Sequence, residues 1–254
     1  MLPIERKMKL LEQVNTTGKI EIDELAEQLN VSSMTIRRDL SKLEKDGKLV
    51  RTHGGAVSLQ SLTTETPYVN KITLRVKEKR LIALEALKLI PEGASVFLDS
   101  GTTTLEIANI IKERNDLHIV TNDLNILQML LHSPSNIICT GGNLQNGLGV
   151  FYGPHAEDLL RSINIDILFL GAHAIDIERG ISAPTLEKAM LKKMMIKTAK
   201  QTWAVCDSSK FDKHSFAHVC NLSEINGIIT DNLCIKEKMK KYENRISIIY
   251  AHGN

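Results

Sequence analysis

The sequence contains no apolar run near the ~20 residues that a membrane-crossing helix requires. Its opening residues, MLPIERKMK, lack the apolar core of a signal peptide. Neither a membrane-embedded nor an exported chain is expected. Cysteine is scarce. Cys139, Cys206, Cys220 and Cys234 form no C-x-x-C pair and meet no histidine cluster at zinc spacing. Three of them lie in or beside apolar runs, where a reduced cysteine serves as a small hydrophobe. A reducing, cytoplasmic setting is expected, with no metal site and no cofactor. Net charge is nearly absent: 32 Lys and Arg against 30 Asp and Glu leave +2, so global charge points to no partner. No internal repeat or low-complexity tract is present.

What remains is a chain of 254 residues, 43% hydrophobic and 24% charged. It has room for a small module followed by a larger one with a sizeable core. From Pro3 to about Ser58 the periodicity is helical and short. IERKMKLLEQVNTTG places Ile4, Met8, Leu11 and Val14 on one face, and Gly18 follows as a breaker. EIDELAEQLN repeats the pattern with Ile22, Leu25, Ala26 and Leu29. Only Asn30, Val31 and Ser32 precede the next helix, with Ser32 as its N-cap. Two helices joined by so tight a turn suggest a helix-turn-helix.

In the third helix Ile36, Leu40 and Leu43 form a narrow apolar stripe, while Met34, Arg38, Ser41 and Lys45 occupy the opposite face and Arg37 flanks it. Between Val31 and Ala56, six basic residues (Arg37, Arg38, Lys42, Lys45, Lys48, Arg51) stand against three acids (Asp39, Glu44, Asp46). That local excess of three exceeds the total of the whole chain. Ser32, Ser33 and Thr35 are short enough to approach a phosphate or base edge closely, and arginine supplies the fork that guanine edges and phosphates accept. KLVRTHGGAV then reads as strand, glycine turn, strand: a wing with Arg51 and His53 at its tip. An amphipathic helix with a solvated basic face would show the same charge pattern. The tight turn, serine cap, adjacent arginines and wing together favour DNA binding.

These residues resemble a known family. Arg6, Leu10 and Val14 (R-x3-L-x3-V), then Ser32, Thr35 and the run Ile36 to Leu40 (S-x2-TIRRDL), then HGGA, are similar to the signature of the DeoR family of bacterial transcriptional regulators. The resemblance implies a winged helix-turn-helix whose second motif helix enters the major groove. The implied DNA-facing residues are Ser32, Ser33, Met34, Thr35, Arg37 and Arg38, with Arg51 and His53 on the wing. Asp39 is expected to orient the neighbouring arginines.

Residues 59–77 are polar, contain Pro67, and show no long periodicity, which places a linker there between a module at 1–58 and a domain at 78–254. Beyond it, helices alternate with continuous apolar runs: SVFLD, LHIVT, NIICT, IDILFLG, TWAVC, GIIT and ISIIY. Helices are expected at Leu81 to Ile90, Thr104 to Arg114, His155 to Ile163, Leu186 to Lys200 and Ile235 to Tyr242. The alternation predicts an α/β domain with a parallel sheet covered on both faces. Ligands in such sheets bind beyond the carboxyl ends of the strands.

After the first of those strands comes Asp99, Ser100, Gly101, Thr102, Thr103 and Thr104. A glycine, four hydroxyls and a helix N-terminus at one spot suit a phosphate. A plain helix cap would need only one hydroxyl. Asp99 would repel a phosphate and is expected to meet sugar hydroxyls or brace the loop. Thr121, Asn122 and Asp123 suit either ligand contact or N-capping. Gly141 and Gly142 suit close backbone approach to a ligand or an ordinary turn. His173 is a lone loop histidine, a type more often structural than functional. Lys210, after two serines, is a counter-charge for phosphate or a solvated turn lysine. Glu187, Lys192 and Lys193 lie near the same mouth, and Met190, Met194 and Met195 read as core.

LDSGTTT, TN, GG, FLGA, DSSKF and ITD fall in the order seen in the sensor half of DeoR-type regulators, so the resemblance covers nearly the whole chain. That half is similar to ribose-5-phosphate isomerase and the coenzyme A transferases, and the resemblance implies a phosphorylated sugar or polyol effector that releases the protein from its operator. The implied effector residues are Asp99, Ser100, Gly101, Thr102, Thr103, Thr104, Thr121, Asn122, Gly141, Gly142, His173 and Lys210, with no catalytic residue. The chain departs from the family in one segment. GAHAID stands where the family reads GADGID, placing His173 and Ala174 at an acidic and a glycine position. The leading expectation is a DNA-binding repressor of a carbohydrate or polyol utilisation operon, binding double-stranded operator DNA as a homo-oligomer. A sugar-phosphate isomerase or deaminase with an appended DNA-binding module is the alternative, and His173 at the acid position weighs against it. An architectural winged helix would need no DSGTTT.

Overall fold

The computed structural model describes residues 2–46, 48–52, 54–58, 68–234 and 236–253. The N-terminal module runs α1 (Pro3–Thr17), β1 (Lys19–Glu21), α2 (Ile22–Gln28), α3 (Ser33–Lys45), β2 (Leu49–Arg51) and β3 (Gly55–Ser58). The strands form an antiparallel sheet in the order β1-β3-β2. β2 and β3 are the expected wing; β1 is too short to show a period of its own. Gly55 is required where β3 crosses β1: a Cβ there would lie 1.8 Å from the Ile20 carbonyl oxygen. Leu10, Val14, Ile22, Leu25, Ile36, Leu40 and Leu49 make the core.

The buried face of α1 differs from the expected one. Ile4 and Met8 are each 67% exposed, whereas Arg6, Leu10 and Val14 are buried. The reason is an ion pair: the Arg6 Nε donates to Asp39 Oδ2 at 2.6 Å with both side chains buried. This turns the 6-10-14 row inward. It also corrects the expected role of Asp39, which clamps α3 to α1 rather than orienting the neighbouring arginines.

In the second region α4 (Tyr68–Thr73) and α5 (Val76–Leu87) come first; the helix expected from Leu81 starts earlier, at Val76. Then follow β4 (Ser95–Leu98), α6 (Thr102–Ile111), β5 (His118–Thr121), α7 (Leu124–Met129), β6 (Asn136–Cys139), β7 (Asn143–Gln145), β8 (Val150–Tyr152), α8 (Pro154–Ser162) and β9 (Ile165–Gly171). The chain continues through β10 (Ala174–Asp176), β11 (Gly180–Ala183), α9 (Leu186–Thr198), β12 (Ala199–Val205), β13 (Ala217–Cys220), β14 (Gly227–Asp231), α10 (Lys236–Glu243) and β15 (Ser247–Ala251). The seven apolar runs pair in one parallel sheet, ordered β15-β14-β12-β9-β4-β5-β6.

Alternating residues of each strand supply two cores. Val96, Leu98, Ile119 and Phe169 pack with α5, α6 and α7, while Phe97, Val120, Leu168 and Leu170 pack with α8, α9 and α10. Two features escaped the sequence reading. GISA, AID and AHVC form a small antiparallel sheet, and the glycine-rich QNGLGVFYG folds as the β7–β8 hairpin. Chain order leaves β4 toward β5 on one side and returns to β9 on the other. The carboxyl ends of β4 and β9 therefore flank the switch point where such sheets bind ligands. Among the described residues no helix is long and apolar enough to cross a membrane.

Candidate DNA-reading face and effector cavity

The α3 helix begins at Ser32, whose hydroxyl oxygen accepts from the Thr35 amide at 3.2 Å. The Ser32 and Thr35 hydroxyls are bonded to each other at 2.9 Å. Ser33 donates to Asp23 Oδ1 at 2.9 Å, tying α3 back to α2, so its hydroxyl is engaged within the module. With Ile36, Leu40 and Leu43 buried, Met34, Arg37 and Arg38 are left exposed on one side. Arg51 is half-buried on the wing, and its amide donates to Glu44 Oε1, joining β2 to α3. His53 lies outside the described residues.

At the switch point a cavity of about 210 Å³ opens. One wall is the turn after β4. Gly101 is the N-cap of α6 and makes no side-chain cap, so the first amides of the helix, those of Thr102, Thr103 and Thr104, have no intrahelical acceptor, and these three residues line the cavity. The Thr104 hydroxyl donates to the Gly101 carbonyl and is committed to the helix. Asp123 accepts from the Gly101 amide at 3.2 Å and caps α7 through the amides of Asn125 and Ile126, so it holds the turn in place. Burial raises the Asp123 pKa, offset by those hydrogen bonds.

The opposite wall is cationic. Lys71, Arg75, Lys79, Lys188, Lys192 and Lys210 all line the cavity, with Asp207 as the only acid among its lining residues. Arg75 reaches Asp207 at 3.4 Å and Ser208 at 3.1 Å from a left-handed backbone (φ 51°) that breaks the chain between α4 and α5. Lys192 is held by the Asp99 carboxylate and the Gly171 carbonyl. Lys79 donates to the Lys71 carbonyl. Its pKa lies below the ordinary lysine value, chiefly through burial; Asp207 opposes that and Lys210 adds to it. Cys206 also lines the cavity, but burial pushes its thiol well up, so it stays protonated. A cleft with this surplus of positive charge beside a helix N-terminus suits a multiply charged anion.

A second cavity of about 240 Å³ adjoins the first and shares Ser100, Lys188 and Lys192 with it. Asp99 and Asn122 lie in its floor, with Tyr152, Thr185, Glu187 and Leu191 around them. Asp99 accepts from the Gly171 amide at 2.9 Å through Oδ2, bracing the two strand ends together.

A model of the DeoR-like helix-turn-helix domain matches residues 6–62, and a model of the DeoR C-terminal sensor domain matches residues 74–232. The chain belongs to the DeoR family of transcriptional regulators. It is a DNA-binding regulator rather than an enzyme, with a sensor domain behind its helix-turn-helix. It is 35% identical to the HTH-type transcriptional regulator GlpR of Haloferax volcanii, with 96% of each chain covered. It is 31% identical to the lactose phosphotransferase system repressor of Staphylococcus epidermidis, covering 96% of this chain and 98% of that one. Among solved structures, ribose 5-phosphate isomerase A of Methanocaldococcus jannaschii aligns at 16% identity and a TM-score of 0.39, covering 52% of this chain and 53% of that one.

In this DeoR-type sensor the predicted effector residues divide into three groups. Ser100, Gly101, Thr102, Thr103, Thr104, His173 and Lys210 line the first cavity; Asp99 and Asn122 line the second, with Ser100 common to both. Thr121, Gly141 and Gly142 line neither. Thr121 donates to the Leu98 carbonyl at 2.7 Å and accepts from the Asp123 amide, a strand-end brace. Gly142 does allow close backbone approach, but to the chain itself: a Cβ would lie 2.4 Å from the Tyr152 carbonyl oxygen. Lys71, Arg75 and Lys79 escaped the sequence reading because they come from the stretch taken as linker and from the helix after it. Lys193 is exposed while Lys192 is buried, and Met190 is exposed while Met195 is core.

Proposed function

We propose that the protein is a repressor of a carbohydrate or polyol utilisation operon, and that a phosphorylated sugar or polyol releases it from its operator. The observation that carries this reading is the cation-lined cavity set against the uncapped N-terminus of α6. A phosphate dianion placed there meets backbone amides on one side and Lys79 and Lys210 on the other, the two elements a phosphate site needs. The name of the staphylococcal relative, a repressor of a lactose phosphotransferase system, supports the sugar class. On the DNA side, exposed Arg37 and Arg38 read the major groove, Ser32 and Thr35 approach the phosphate backbone at the start of α3, and Met34 offers an apolar contact. Arg51 on the wing touches the backbone. A two-fold operator requires paired modules, so the working form is a homo-oligomer in the cytoplasm.

The test has two arms. A gel shift against the DNA upstream of the protein's own gene measures operator binding. Arg38→Ala should weaken it by ~1–3 kcal/mol while the melting temperature stays put; unchanged affinity at fixed salt would remove Arg38 from the reading face. A thermal-shift screen of sugar and polyol phosphates measures the effector. A phosphorylated member should raise the melting temperature and its unphosphorylated parent should not.

A further inference from the structure

A cleft of about 460 Å³ lies where the helix-turn-helix module meets the sensor domain. Arg37 of α3 and Arg51 of the wing line one side; Asp176, Arg179, Asp212 and His214 line the other. The three carboxylates of this region are already supplied with donors. Asp176 Oδ1 accepts from the amides of Glu178 and Arg179, at 2.9 Å each. Asp212 Oδ1 accepts from Lys241 at 2.7 Å and from the Tyr242 hydroxyl at 2.8 Å. Glu44 Oε1, on α3, accepts from the Arg51 amide at 3.0 Å. The arginine side chains are not matched in the same way. Among the described residues no carboxylate holds the guanidinium of Arg37, Arg51 or Arg179, and Arg51 Nε is buried without an acceptor. Buried donors are satisfied by acceptors. Three unspent guanidinium groups at one place call for an anion with several oxygens. Arg37 and Arg179 are exposed, so the cleft is open to a large ligand.

We propose that this cleft is a phosphate-binding extension of the DNA face, in which Arg179 of the sensor domain contacts the operator backbone beside the wing. The proposal rests on the DNA-reading role of α3 and the wing, and adds a contact from outside the module. The neighbours of Arg179 identify the anion. Arg37 and Arg51 belong to the helix and wing that engage DNA, so phosphates running along them pass Arg179. Guanidinium forks suit phosphate oxygens and carry no base preference there. His214 adds no charge near neutrality: burial and Arg179 lower its pKa more than Asp176 and Glu44 raise it. The charge of the contact therefore comes from arginine. The operator is then held by both domains rather than by the module alone.

The test is DNA binding by the full chain, read by fluorescence anisotropy from about 50 to 200 mM salt. The probes are the DNA upstream of the protein's own gene and an unrelated duplex. Each phosphate contact adds about 0.9 to the slope of log affinity against log salt. Arg179→Gln should lower the slope by about that amount, so its affinity should fall about threefold less than the wild type's over this range. At fixed salt it should weaken both duplexes by the same factor, leaving the preference for the operator intact. Its melting temperature should not move, since Arg179 is exposed. Arg179→Lys keeps the charge and should restore the slope. Lys200→Gln removes a sensor-domain cation at the amino end of β12, away from the cleft, and should leave the slope unchanged; an equal loss there would overturn the assignment to the cleft. Arg51→Gln tests the reading underneath. A lowered slope in Arg51→Gln beside a wild-type slope in Arg179→Gln would keep the wing on DNA and overturn the extension. Wild-type slopes in both would overturn both. Tighter operator binding by Arg179→Gln would also overturn the proposal, because the cleft would then hold the arginines back from DNA.

Discussion

Single side chains carry two consequences in this molecule. The Lys79 pKa is lowered in the free protein, mainly by burial and further by Lys210. A phosphate dianion in the cavity favours the charged ammonium and raises that pKa again. Binding should therefore take up a proton at pH values between the free-state pKa and the bound one. Affinity should fall as pH rises through the free-state value, which lies below 10.5. Calorimetry in two buffers of different ionisation enthalpy reads this uptake, and Lys79→Arg, which stays charged, should abolish it; equal heats in both buffers for the wild type would count against the placement. The second residue is Asp39. Removing one member of a buried ion pair strands the other, which costs ~3 kcal/mol or more. Asp39→Ala should destabilise the N-terminal module by about that amount in a denaturant titration, and Arg6→Met added to it should recover much of the loss. Additive losses in the double variant would mean the pair is not coupled. Neither feature was legible in the sequence, since Arg6 and Asp39 lie 33 positions apart and nothing local marks them as partners.

At the scale of elements, legibility followed locality. α3 was readable from its apolar stripe and serine cap, because the 3.6-residue period and the capping hydroxyl are both local signals. The sheet was readable because both of its faces are covered, which turns each strand into a continuous apolar run. The β10–β11–β13 sheet was not, because its strands are three or four residues long and β13 joins β11 only across α9 and β12. The candidate site was half legible. The hydroxyl-rich turn after β4 announces itself, whereas its cationic counterpart gathers from α4, α5, α9 and the turn after β12. Gly142 could be read either as a ligand glycine or as a turn glycine, and here it packs against the β7–β8 hairpin. Its φ is +104°, and any Cβ at this position would meet the Tyr152 oxygen at 2.4 Å, so Gly142→Val should cost ~1–3 kcal/mol of stability. A melting temperature equal to wild type would show that the hairpin yields there.

For the whole molecule, a net charge of +2 hides a division of labour. Positive charge is gathered on α3 of the helix-turn-helix and again inside the sensor-domain cavity. A ligand shifts the DNA-bound equilibrium only through a difference in its affinity for the two states. The two functions should therefore separate by residue: variants in the sensor cavity lose the response and keep the operator. The most direct measurement titrates the best phosphorylated ligand from the thermal-shift screen against preformed protein–operator complex, for the wild type, Thr103→Ala and Lys210→Met. The wild type should be released, and both variants should show equal operator affinity without ligand but little or no release. Release of both variants at wild-type ligand concentrations would contradict this separation.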